Sequence, residues 1–115
     1  MELSGEISIS PDDDILGWDA TNDLIEVQLS GLFYDGDYRE AVRLRFPLTS
    51  PPRAMSYDSN VDEWTQLDNL EPFANICEIH RKMNKHFCLQ GFGADSGLWN
   101  SVGFVCETPQ IFIDQ

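Results

Sequence analysis

The stretch Asp68-Asn69-Leu70-Glu71-Pro72-Phe73-Ala74-Asn75-Ile76-Cys77-Glu78-Ile79-His80-Arg81-Lys82-Met83-Asn84 decides the fold class of this chain. Asp68 and Glu71 stand at the spacing of a capping box, in which each side chain satisfies a backbone N–H left over at a helix start. Pro72 follows in the first turn, where its missing donor costs little. Leu70, Phe73, Ile76, Cys77, His80 and Met83 then recur every three or four residues, placing a mainly apolar stripe on one side. Arg81, Lys82 and Lys85 fall in the last turn, where positive charge complements the helix dipole. The spacing predicts one main helix over about residues 69–84.

Strands flank this segment on both sides. Upstream, residues 2–10 alternate, with Leu3, Gly5, Ile7 and Ile9 opposite Glu2, Ser4, Glu6 and Ser8, which is the period of a half-buried strand. The run from Leu24 to Tyr34 is rich in β-branched and aromatic residues and leads into Asp35-Gly36-Asp37, a strong hairpin signal. On the return strand, Tyr38 to Leu48, Val42, Leu44 and Phe46 alternate with Arg43 and Arg45, which puts the arginines opposite Glu26 and Gln28. Pro51 and Pro52 cannot donate to a ladder, so this strand ends near Pro47 or Leu48. Downstream, His86 to Phe92 reads as a strand, Gly93 to Gly97 as a turn and Trp99 to Glu107 as the return, with a last edge strand at Ile111–Ile113. The expected fold is α+β: an antiparallel sheet of about five or six strands with the helix packed on one face. The alternative is a β-sandwich carrying one helix.

One domain over residues 1–115 is expected, because this length buries a single core and 42% of the residues are apolar. No apolar run approaches the ~18 residues of a membrane-spanning helix, and the first residues lack the basic flank of a secretory signal. Cys77, Cys88 and Cys106 are an odd number among apolar neighbours, which reads as buried free thiols in a reducing compartment. Both features point to a cytoplasmic protein.

The formal charge of −13, from 20 acids against 7 bases, narrows function most. It argues against nucleic acid, since affinity for phosphate backbones comes from Lys and Arg, and against an anionic membrane surface. It favours a basic partner, whose encounter such a field accelerates. The acids are uneven: residues 1–37 carry ten and no base.

Chemical motifs are weak. Asp12, Asp13, Asp14, Asp19 and Asp23 suggest a calcium loop, but Leu16 occupies a position that needs an oxygen ligand and no Glu closes the loop. Cys77, His80, His86 and Cys88 offer four zinc-ligating groups within twelve residues, at a spacing that fits no structural-zinc pattern. No base and carboxylate are placed to activate a cysteine or serine. Gly91-x-Gly93 joins strand to strand, with no helix N-terminus to receive a phosphate. Of Trp18, Trp64 and Trp99, at least two are expected at the core or its edge. The chain is thus expected to have no catalytic residue, metal or cofactor.

At the level of class, this combination resembles small acidic inhibitors, such as bacterial immunity proteins, that neutralise a basic nuclease toxin or nucleic-acid-binding effector. The resemblance implies carboxylates standing where substrate phosphates would sit. The contacting acids would be Asp12, Asp13, Asp14, Asp19, Asp23, Asp35 and Asp37, with Trp18 and Tyr34 as anchors. The competing reading is an accessory or scaffold subunit of a larger assembly.

Overall fold

Asp35 and Gly36 have φ values of 51° and 85°, the left-handed pair that a tight two-residue hairpin needs. They join β3 (Leu24–Tyr34) to β4 (Asp37–Pro47) in one unbroken antiparallel register. Glu26 pairs with Arg45 and Gln28 with Arg43, as the alternation of charge and apolar residues predicts. The opposite side chains of both strands, Ile25, Val27, Leu29, Val42, Leu44 and Phe46, are fully buried. The structure is a computed structural model describing residues 1–10, 13–83 and 85–113.

Around this hairpin a five-stranded sheet forms. β1 (Ile7–Ser8) and β2 (Ile15–Ala20) pair with the two halves of β3, and β10 (Gln110–Ile113) pairs with β4. A second five-stranded sheet has the order β6 (Glu63–Leu67), β5 (Arg53–Asp58), β9 (Trp99–Val105), β8 (His86–Gly93), β7 (Phe73–Met83). Every pairing is antiparallel. The chain crosses between sheets after β4 and again after β9, and a bridge between Leu48 and Cys106 ties the two crossings together. Phe46 of the first sheet packs against Phe87 and Phe104 of the second, with ring centroids 5.0 and 4.9 Å away. Burying each such ring contributes about 1.5–3 kcal/mol.

The chain is therefore an all-β sandwich, and the expected α+β fold is overturned: no helix is present among the described residues. The β-sandwich alternative is right in its layering, without its helix. Residues 73–83 are an edge strand whose pairing with β8 is interrupted by three bulges, between Phe73 and Asn75, Ile76 and Glu78, and Arg81 and Met83. Each bulge sets two residues against one and advances the inward side by one position. Phe73, Ile76 and Ile79 are consequently the buried residues, a period of three that imitates a helical stripe. His80 and Met83, expected on the apolar face, are exposed.

The apparent capping box serves another purpose. Glu71 accepts hydrogen bonds from the Asp95 and Ser96 amides at 3.0 Å each and from the Ser96 hydroxyl at 3.1 Å, so it braces the β8–β9 loop. Arg81, expected to face a helix dipole, lies over the Phe87 ring and donates to the Leu3 and Ser4 carbonyls, pinning the N-terminal segment. The first strand is shorter than its alternation suggests, although Leu3, Ile7 and Ile9 do turn toward the core.

Candidate protein-binding surface

The acids predicted to meet a partner lie along the β2 edge and at the ends of the first sheet. Asp13 accepts hydrogen bonds from the Tyr38 phenol at 2.6 Å and the Ser30 hydroxyl at 3.1 Å. The same Ser30 oxygen accepts the Asp14 amide at 2.8 Å, so the start of β2 is held against β3. Gly31 lets the Tyr38 ring lie close, since a Cβ there would sit 2.1 Å from the phenol oxygen. The carboxylate beside that phenol pushes its pKa up to about 12, chiefly through the hydrogen bond, with burial and the charges of Asp13 and Glu40 adding to it.

Asp35 forms a second node at the β3–β4 turn. Its carboxylate accepts the Glu6 amide at 2.9 Å, and its own amide donates to the Glu6 carbonyl at 2.8 Å. Asp37 is exposed beside it. Asp19 and Asp23 are exposed toward the other end of β3, whose eleven residues span roughly 33 Å. The structure thus groups Asp13 with Asp14 and Asp35 with Asp37, and sets Asp19 and Asp23 apart from both. Asp12 lies outside the described residues. The two proposed anchors are engaged inside the protein: Trp18 packs edge-on against Phe73 at 5.3 Å, and the Tyr34 phenol accepts the Gly5 amide at 3.1 Å.

Charge neutralisation is sparse. Among the described residues, the one arginine–carboxylate ion pair joins Arg43 to Glu26 at 3.4 Å, with the same guanidinium 4.4 Å from the centre of the Phe112 ring. His80 lies 3.7 Å from Glu78. None of the acids at positions 14, 19, 23, 35 and 37 takes part in an ion pair among the described residues, while Arg39, Arg43 and Arg45 on β4 belong to the same sheet.

The four side chains considered for zinc spread over β7 and β8. His80 and Cys88 are cross-strand partners, but Cys88 is buried with its sulfur 3.1 Å from the Ser101 hydroxyl, while His80 is half-exposed. Among the described residues no three His, Cys, Asp or Glu side chains gather as metal ligands. Burial pushes the thiols of Cys77 and Cys106 up in pKa; Glu78 adds to this at Cys77, and at Cys106 burial outweighs Lys85 and Arg81. Both sulfurs are held as thiols, the opposite of an activated nucleophile.

β2, β5 and β6 are strands beyond those expected from sequence, and across the β5–β6 hairpin Tyr57 and Trp64 face each other with ring centroids 5.2 Å apart. The alternation of Met55, Tyr57, Trp64 and Gln66 on one side was the available signal. Compared with protein-family models, curated proteins and solved structures, the chain matches none.

Proposed function

We propose that this protein is a non-enzymatic, cytoplasmic binding protein of the acidic-inhibitor type, which captures a basic partner such as a nuclease toxin or nucleic-acid-binding effector and occludes its cationic site. The observation that carries this reading is the exposed set Asp14, Asp19, Asp23, Asp35 and Asp37 on and beside the first sheet, none of them ion-paired among the described residues. Because these acids are spread along β3, they act first as a field that steers encounter, and contact follows at whichever end the partner's shape fits. The carboxylates then stand in for substrate phosphates opposite arginines of the partner. Asp13 contributes differently, by holding Tyr38 and the start of β2 in place.

The test is recovery of partners on the tagged protein at low and high salt, with wild type and with Asp14→Lys/Asp19→Lys/Asp37→Lys. These positions are exposed, so the reversals leave the core intact. Retention of one basic protein at low salt, lost at high salt and in the reversed variant, is the expected result. A partner that survives both would overturn the reading. The accessory-subunit reading draws on Met55, Trp64 and Phe92, which are exposed on the second sheet; association indifferent to salt favours it.

A further inference from the structure

The outer face of the second sheet carries four aromatic side chains in one row. Trp64 on β6 pairs with Tyr57 on β5, Tyr57 with Trp99 on β9, and Trp99 with Phe92 on β8. Core side chains of these strands, among them Ala54, Leu89, Val102 and Phe104, point the opposite way, so the row is no by-product of core packing. Trp64 and Phe92 are 47% and 44% exposed, and Tyr57 and Trp99 are half-buried between them. The Phe92 and Trp99 centroids are 5.2 Å apart with planes at 79°, and the Tyr57 and Trp64 planes are inclined by 40°, so one edge-on and one tilted ring pair stand side by side on adjacent strands. At strand spacing the row spans about 14 Å. Singly exposed aromatics are ordinary, but a contiguous row marks an interaction site.

Charge selects the occupant. Tyr57 donates its phenol proton to Asp62 at one end of the row, and Asp58 is near enough to act on the same phenol. At the other end Asp95 is exposed in the loop after Phe92, and Glu78 is the cross-strand partner of Gln90, two residues from Phe92. Residues 54–78 hold six acids and no base, and residues 86–115 hold no Lys or Arg. Arg53, opposite Gly103 and four residues along its strand from Tyr57, shares this face with His86 on β8 and with His80, which lies 3.7 Å from Glu78. Stacked nucleobases would bring phosphates into this negative rim, whereas guanidinium groups stack on aromatic faces and pair with carboxylates at once.

The geometry points to this row as a docking surface for an extended, arginine-rich polypeptide segment, whose guanidinium planes lie on the rings while Asp62 and Asp95 receive its charge. A segment in polyproline II form rises about 3.1 Å per residue, so four or five residues cover the row. Nothing in this depends on the acids of the first sheet, which lie on the other layer.

The experiment measures binding of a fluorescent synthetic peptide of about twelve residues, alternating arginine and proline, by anisotropy at low and high salt. Trp64→Ala and Phe92→Ala are each expected to weaken binding about tenfold. Asp62→Asn and Asp95→Asn, which leave the rings in place, are expected to weaken it about threefold and to flatten the salt dependence. At high salt, where charges on the other layer are screened, the Asp14→Lys/Asp19→Lys/Asp37→Lys variant should bind this peptide within about twofold of wild type, which separates this surface from the first-sheet reading. No binding at millimolar peptide overturns the inference. So does equal or tighter binding of the glutamine-for-arginine peptide, or of a neutral β-glucan oligosaccharide, on the same rings.

Discussion

Replacing Gly91 with alanine tests the bulged edge on which the fold turns. Gly91 pairs with Ile76 beside the central bulge of β7, where the two backbones come so close that a Cβ would sit 2.0 Å from the Asn75 carbonyl oxygen and 3.0 Å from the Ile76 Cα. Ordinary contact begins near 3.4 Å, and both neighbours are backbone, so no rotamer change relieves the clash. The edge strand must retreat on the order of 1 Å, which breaks two or three ladder hydrogen bonds at ~1 kcal/mol each and loosens Ile76 from the core. We expect a loss of about 3 kcal/mol. Gly103, in the adjacent strand of the same sheet, is the control: a Cβ there meets nothing within 4 Å. Gly103→Ala should be neutral or stabilising by about 0.5 kcal/mol, because alanine restricts the unfolded chain. Urea unfolding followed by tryptophan fluorescence measures both variants, with an unchanged m-value as the sign that only stability has moved. If the two alanine variants fall within about 0.5 kcal/mol of each other, the close approach of β7 to β8 is wrong, and with it the explanation of the three-residue period.

Two further outcomes follow from titrating groups. Burial raises the Glu71 pKa, but hydrogen bonds from Ser96, Asp95 and Asn100 outweigh it and leave the pKa lowered, so its contribution is present above the unfolded carboxylate pKa and lost as pH falls through the lower folded value. Glu71→Gln should cost about 1 kcal/mol at neutral pH, speed amide exchange at Asp95 and Ser96, and remove that acid-side loss; unchanged exchange at these two amides would refute the brace. The Tyr38 pKa is raised from 10.0 to about 12, so the stabilisation it provides is complete below 10.0 and disappears as pH rises through about 12. Ultraviolet titration should show Tyr38 ionising near 12 and returning toward 10.0 in Asp13→Asn. A titration curve that Asp13→Asn leaves in place would dispose of the Asp13–Tyr38 hydrogen bond.

Local chemistry was enough where it was self-contained. Asp35-Gly36 dictated a tight hairpin, because those residues tolerate positive φ, and the alternation of β3 with β4 set Glu26 against Arg45 and Gln28 against Arg43. The β8–β9 hairpin was legible for the same reason, as was the end of β4 before the two prolines. The acidic character of the first 37 residues was equally plain, but their grouping was not: only the assembled sheet shows that Asp13 is tied to Tyr38 of β4 and that Asp19 and Asp35 lie toward opposite ends of β3.

The segment from Phe73 to Met83 was decided by its partner. Its apolar spacing suits a helix or a strand with repeated bulges, and the tight approach at Gly91, together with the loop that claims Glu71, selects the strand. The aromatic row is hidden in sequence for a related reason: Tyr57 with Trp64 and Phe92 with Trp99 meet within local hairpins, but the two pairs become one row only because β5 lies beside β9. Sequence periodicity reports which way a side chain points along its own strand, while the contacts across strands depend on register, and register belongs to the assembled sheet.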